Sequence, residues 1–342
     1  MLVRELILPH NTTECHASTI IEMPSGDFLA AWFEGTREAA RDTAIWIARR
    51  SPRGWEEPRV AIKMIYEAHW NPVLYLLPDK RIALYFKVGC SVACWKTYVM
   101  YSYDEGEHWS IPVELVTGDL SGGCGPVKNQ PLLLRNGILI APASTEQGNW
   151  MPFVDISFSS GEEWEKRVPV PLPTSVVQTQ KNSRPVTLGL IQPALWESEP
   201  GEVHMLLRSN NGRIFRSDSH DSGLSWSVAY ATELPNNNSG IDLKKMPDGR
   251  LILICNISDQ NWGPRKQIAL RYSDDNGTSW SEPFVLEAAR EEMFSARHKS
   301  EFSYPTVIVT SEGKIAMTYT WHRENIRFVI GSFLDFTGSQ HQ

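Results

Sequence analysis

Apolar positions along the chain come in short runs, broken at regular intervals by polar turns. Typical pairs of runs are "VLYLL" with "RIALYF" (73–77, 81–86), "PLLL" with "ILIAPA", and "TVIVT" with "KIAMTYT". Each run is too short for a core helix and is bounded by turn residues, so each reads as a strand. The paired runs are joined at Ser25-Gly26, Pro78-Asp79, Asn136-Gly137, Pro200-Gly201, Asp248-Gly249 and Glu312-Gly313. These are residues that tight turns select. Six hairpins of one kind predict six repeated units.

A second repeat runs in step with the first. "SYDEGEHW" (102–109), "SFSSGEEW" (157–164), "SHDSGLSW" (219–226) and "SDDNGTSW" (273–280) share the frame Ser-x-Asp-x-Gly-x-x-Trp, with Ser159 replacing Asp, and "SPRGW" (51–55) is a shortened fifth copy. The tryptophans stand at 55, 109, 164, 226 and 280, in steps of 54, 55, 62 and 54. That is about the length of one four-stranded propeller blade. Within the frame, Gly supplies an unusual backbone angle, Ser and Asp bond the turn backbone, and Trp covers the hairpin. The boxes therefore read as structural. The expected fold is all-β: a six-bladed β-propeller of four-stranded antiparallel blades at about 14–62, 70–117, 128–172, 190–232, 237–287 and 300–335. Strand 3–8 is expected to close the ring on the last blade, which removes an exposed edge. One domain then spans 1–342, and 171–190 reads as a surface loop.

Composition narrows the function. Apolar residues make up 42% and charged residues 21%, as in a soluble globular protein. A net charge of −7 argues against a general nucleic-acid binder. No run reaches the length of a membrane span, so no membrane partner is expected. The N-terminal stretch has Arg4 and Glu5 in its apolar part and no small-residue cleavage site, unlike a secretory leader. Five cysteines without framework spacing suit a reducing, cytoplasmic setting. Cys90, Cys94, Cys124 and His69 fit no common zinc spacing, so no metal or other cofactor is expected. The sequons at Asn11 and Asn276 read as incidental.

In such blades the boxes and the first-hairpin turns share one face. The opposite face collects the starts of the inner strands and the loops between the second and third strands. The six starts bring His16, Asn71, Gln130, Gln192, Ser239 and Tyr304 toward one axis. A polar mouth suits a small polar ligand; a polar residue followed by Pro is also how an ordinary strand begins. The loops add Glu34, Arg37, Glu38, Arg41 and Asp42 from "EGTREAARDT", then Lys87, Glu146, Arg208, Arg265, His322 and Arg323. Lys128 and Asn129 precede blade 3. Arg208 follows apolar "VHMLL" and suits bidentate carboxylate binding, or a structural ion pair. Trp46, Trp70, Trp262 and Trp321 lie near these loops, to stack on sugars or to pack between blades.

The boxes and the site positions together resemble the sialidase superfamily over nearly the whole chain. The resemblance implies that Asp42, in "AAWFEGTREAARDTAIW", is the acid/base. It implies that Tyr304, in "FSYPTV", is the nucleophile, with Arg208 and Arg265 clamping a carboxylate. The substrate-binding candidates at the mouth are Arg37, Asn71, Lys128, Asn129, Gln192, Arg208, Arg265 and Arg323. The chain departs from the family pattern twice. His16 stands in place of the first arginine, and Gln192 in place of the glutamate that activates the tyrosine. Tyr is a poor nucleophile without a base, so His16 joins the catalytic candidates and Glu146 is a further one. Three functions stay open. The first is a retaining exo-glycosidase that hydrolyses a terminal acidic sugar from a glycan. The second is a polysaccharide lyase that eliminates across a uronic acid with His16 and Tyr304. The third is a glycan-binding propeller without catalysis. The expected partner is an oligosaccharide or glycoconjugate with an acidic sugar.

Overall fold

The computed structural model describes residues 1–7, 14–64, 66–119, 122–174, 176–177, 186–289 and 300–338. It is a six-bladed propeller of four-stranded antiparallel sheets. The inner strands are Glu14–Glu22, His69–Leu76, Leu132–Leu133, Leu190–Glu197, Asp242–Lys245 and Phe302–Val309. The outer strand of the last blade is Val3–Ile7, which pairs with Asn325–Gly331 in a register of Val3 opposite Ile330 and Ile7 opposite Ile326. The first strand thus closes the ring as expected; Leu8 and the Asn11 sequon lie outside the described residues.

Three details differ from the expectation. The outer strand of blade 1 comes in two pieces, Gly54–Trp55 and Arg59–Ile62, both paired with Ala44–Ser51. The shortened box makes its own tip pairing, and Pro58 between the pieces has no N–H for the ladder. Within 171–190, Val176–Val177 pairs with Val186–Thr187, so this insertion holds a strand pair rather than only loop; residues 175 and 178–185 lie outside the described residues. Last, a short helix, Phe333–Thr337, follows the final strand. Ser332 and Asp335 cap it reciprocally, and Phe336 is buried.

The core lies between blades. Phe33, Ile45, Leu84 and Phe86 join blades 1 and 2. Ile140, Val154, Leu207 and Phe215 join blades 3 and 4. Ile254, Leu270, Met317 and Val329 join blades 5 and 6. The boxes bind their own turns. Ser102, Ser157, Ser219 and Ser273 each accept the N–H of the box glycine through Oγ, at 2.8–2.9 Å. Asp104, Asp221 and Asp275 accept the N–H four residues on, and Ser159 does the same for Glu163. Gly106 and Gly223 hold φ of +88° and +82°, which a side chain would oppose. Ser25 in the first-hairpin turn of blade 1 donates to Glu105 in the box of blade 2. Boxes therefore join neighbouring blades on the face away from the strand starts.

Deleting residues 1–7 exposes Asn325–Gly331 as an unpaired edge. The expected result is a lower melting temperature and concentration-dependent self-association in sedimentation. A truncated protein as stable and monodisperse as the full chain contradicts the closure.

Candidate functional site

The inner strands carry a repeated irregularity where they meet the axis. In blades 1, 2, 4 and 6 the register skips at His16/Thr19, Trp70/Val73, Ile191/Ala194 and Ser303/Thr306. In each case three steps on the inner strand face two on its partner, which is a one-residue bulge. Inside three of these bulges lies a residue with left-handed backbone: Ala17 at φ +57°, Gln192 at +54° and Tyr304 at +52°. A bulky side chain rarely adopts this angle, and such outliers gather at functional sites. The bulge aligns Ala17 with Asn71, Gln192 and Tyr304. His16 is therefore one residue earlier than the strand-start register suggests, because the extra residue is invisible to a count of polar starts.

Backbone bonds between loops fix the charged groups around Tyr304. Phe302 N–H donates to Arg265 O at 2.8 Å, His322 N–H to Glu301 O at 2.6 Å, and Cys15 N–H to Arg323 O at 2.7 Å. This sequence of bonds ties the blade 5 loop to blade 6 and blade 6 to blade 1. Glu301 sits at its centre. It accepts from Arg265 Nη1 and Arg323 Nε, both at 2.8 Å, and from Ser303 Oγ at 2.5 Å. Burial alone would raise its carboxyl, but Arg323 and Arg265 hold it well below the usual range. Arg323 also donates to Glu38 at 2.6 Å.

Arg208 has a different environment. It comes from the second strand of blade 4, Val203–Ser209, and is 3% exposed. Its Nη1 donates to the Tyr304 hydroxyl at 2.7 Å and to Gln192 Oε1 at 3.1 Å, and its Nε donates to Asn238 Oδ1 at 2.9 Å. Its guanidinium lies 5.5 Å from the Trp150 ring and 5.9 Å from the Trp262 ring. Among the described residues no carboxylate lies within ion-pair distance of Arg208. Glu146 is the acidic group it attracts; burial raises the Glu146 carboxyl, Arg208 opposes this and Glu38 adds to it.

His16 is 1% exposed, with its ring 4.2 Å from the Tyr304 ring. Nδ1 lies 2.8 Å from Thr320 Oγ1, and Nε2 lies 3.5 Å from Arg323 Nη2. A guanidinium only donates, so this geometry assigns the lone pair to Nε2 and the proton to Nδ1. Burial, then Arg323, pushes the imidazole well below its usual range, although Glu301 opposes them. His16 is held neutral.

The remaining sequence candidates divide. Asn71 donates to Val127 O at 3.1 Å, and Asn129 to Pro193 O at 2.9 Å. Lys128 donates to Asn129, Ile241 O and Pro305 O, and burial brings its ammonium down to about 8. These three brace the floor under the bulged strands, where carbonyls have left the regular ladder. Asp42 and Arg37 are exposed. Asp42 accepts from Thr36 N and Oγ1, both at 3.0 Å, and so pins its own loop. The loop carboxylate that reaches the arginine cluster is Glu38. Sequence reasoning missed the central roles of Glu301, Glu38, Asn238 and Trp150. Glu301 offered one signal, standing three residues before Tyr304. Among the described residues no group of three or more His, Cys, Asp or Glu could hold a metal ion, and no helix is long and apolar enough to cross a membrane.

Comparison with known proteins agrees with this architecture. The structure is similar to a protein of unknown function from Dyadobacter fermentans, with a TM-score of 0.75, 14% identity, and 96% of this chain and 97% of that one covered. It is similar to the NanB sialidase of Streptococcus pneumoniae, with a TM-score of 0.73, 13% identity, and coverage of 97% and 71%. It is also similar to the intramolecular trans-sialidase of Ruminococcus gnavus, with a TM-score of 0.70, 13% identity, and coverage of 96% and 97%. No curated protein matches the sequence. A family model, the BNR repeat-like domain, matches residues 26–317. Those residues carry every Asp box, five of the six inner-strand starts and the Arg208 strand, and the chain belongs to the BNR repeat-like family, with a sialidase-like fold.

Proposed function

We propose that the axial site binds the carboxylate of a terminal acidic sugar and that the protein hydrolyses its glycosidic bond. The observation that carries this reading is Arg208, a buried guanidinium whose hydrogen-bond partners among the described residues are all neutral. An uncompensated buried cation is costly, and an anionic ligand supplies its counter-charge. A planar carboxylate matches its fork, with Arg265 alongside. Trp150 and Trp262 flank the same spot. The solved sialidases similar in fold point the same way. The proposed partner is a glycan with a terminal acidic sugar, and the proposed setting is cytoplasmic.

In this reading Tyr304 attacks the anomeric carbon. Neutral His16, against its ring, is the base for the phenol proton once its Nε2 lone pair turns from Arg323. A carboxylic acid protonates the departing oxygen, and water then displaces the tyrosine. Two residues compete for the acid role. Asp42 holds the place that the resemblance implies, whereas Glu146 has the raised carboxyl and faces Arg208. Elimination across a uronic acid is the second reading, favoured by a neutral imidazole packed on the ring of a tyrosine whose hydroxyl meets Arg208.

Incubation with sialosides and with uronate-ended oligosaccharides separates these readings. Release of the free acid sugar is expected, whereas an ultraviolet-absorbing unsaturated uronate establishes elimination. Tyr304→Phe should lower kcat by roughly 10²-fold or more, while Arg208→Met should mainly raise KM. Activity untouched by both substitutions contradicts the site. The pH profile has a defined sign. His16 remains a free base below its usual range, so the acid limb should fall below pH 6.5. The raised Glu146 carboxyl should keep its proton above the usual carboxylate range and define the alkaline limb. Glu146→Gln should remove that limb; a limb that persists there and disappears in Asp42→Asn returns the acid role to Asp42.

A further inference from the structure

On the box face, away from the axis, blade 4 holds a second chemical constellation. Ser198 lies in the turn between the strands Leu190–Glu197 and Val203–Ser209. Its Oγ is 2.7 Å from His204 Nε2, and His204 Nδ1 is 2.6 Å from Asp218 Oδ1. Nδ1 faces both Asp218 Oδ1 and, farther off at 3.2 Å, Arg216 Nη2; the carboxylate accepts only and is the nearer, so Nδ1 carries the proton and the Nε2 lone pair faces the serine. Asn276 Nδ2, at 3.2 Å from Nε2, supports the same tautomer. The ring is held in plane by stacking on Trp196, with centroids 5.0 Å apart and planes at 29°. Asp218 is fixed by Arg216 Nε at 2.8 Å and by the Tyr230 hydroxyl at 2.9 Å. Burial would raise the Asp218 carboxyl, but His204 and Arg216 keep it well below its usual range.

The serine also has room for a substrate. It lines a cavity of about 670 Å³ together with Leu195, Met246, Arg135 and Lys245. Lys245 Nζ and Arg135 Nη2 donate to the Ser198 carbonyl at 2.7 and 3.1 Å, so two cations are held at the turn that carries the serine.

We propose that Ser198, His204 and Asp218 form a second catalytic site that hydrolyses small carboxylic esters. Base, orienting carboxylate and nucleophile stand in the geometric order that serine acyl transfer needs. Ser198 Oγ forms a bond to the acyl carbon as its proton passes to His204 Nε2. The ester C–O bond breaks, and the alcohol leaves with that proton. Water then gives a proton to His204 and its oxygen to the acyl carbon, which releases the carboxylic acid and restores Ser198. Lys245, held by the Glu197 and Ser198 carbonyls in the lining of the same cavity, is a cation available to steady the oxyanion.

A fluorophosphonate probe tests this on the full chain, because it traps a nucleophilic serine as fluoride leaves. Peptide mapping should place the label on Ser198, and p-nitrophenyl acetate should turn over with an acyl-enzyme burst. Ser198→Ala should abolish both at an unchanged melting temperature. Asp218→Asn should slow both at least 10²-fold, and Tyr304→Phe should change neither. An unlabelled wild type, or labelling that survives Ser198→Ala, shows that these bonds only brace blades 4 and 5. Because Tyr304→Phe removes the axial chemistry alone, the two sites succeed or fail separately.

Discussion

The site depends on one backbone constraint, the left-handed bulge at the start of the inner strands. An extended strand alternates its side chains between two faces, so an ordinary strand start would bring no single pair of residues onto the axis. The extra residue in blades 4 and 6 turns Gln192 and Tyr304 inward together, at φ +54° and +52°. A tyrosine at that angle is strained by about 1–3 kcal/mol. The surroundings fix it: Arg208 donates to its hydroxyl, His16 lies against its ring, and Lys128 binds the carbonyl of the following Pro305. The floor residues that look like ligands in the sequence are what the bulge requires.

Charge around the bulge is uneven, and that unevenness carries the functional reading. Arg265 and Arg323 share Glu301, and Arg323 has Glu38 as well. Both are compensated. Arg208 meets Tyr304, Gln192 and Asn238, which are all neutral, under two tryptophans. One guanidinium in a cluster of ion pairs is left without an ion-pair partner among the described residues. His16 adds none, because burial and Arg323 keep it neutral.

Much of this was legible in the sequence, for local reasons. A box announces itself because Ser, Asp and Gly act on a turn only a few residues long, and its period counted the blades. Arg208, Gln192 and Tyr304 were found because they stand at strand ends. The bulge was not, since Ala17, Gln192 and Tyr304 are not the glycines that usually mark left-handed backbone. That is why His16 was placed one residue out of register. Lys128, Asn71 and Asn129 could not be told from ligand-binding groups, because a sequence does not show which carbonyls have left the ladder. Glu301, Glu38 and Trp150 come from loops that meet residues of neighbouring blades, far apart in sequence, and the Glu38 contact to Arg323 crosses the seam where the two ends of the chain meet.

The most direct measurement is calorimetric titration of the wild-type protein and Arg208→Met with sialic acid and glucuronic acid, each against its own methyl ester. If Arg208 awaits a carboxylate, at least one free acid binds about tenfold or more tightly than its ester, a difference of about 1.4 kcal/mol, and Arg208→Met abolishes that preference. Equal binding of acid and ester, or a preference that survives Arg208→Met, contradicts the account.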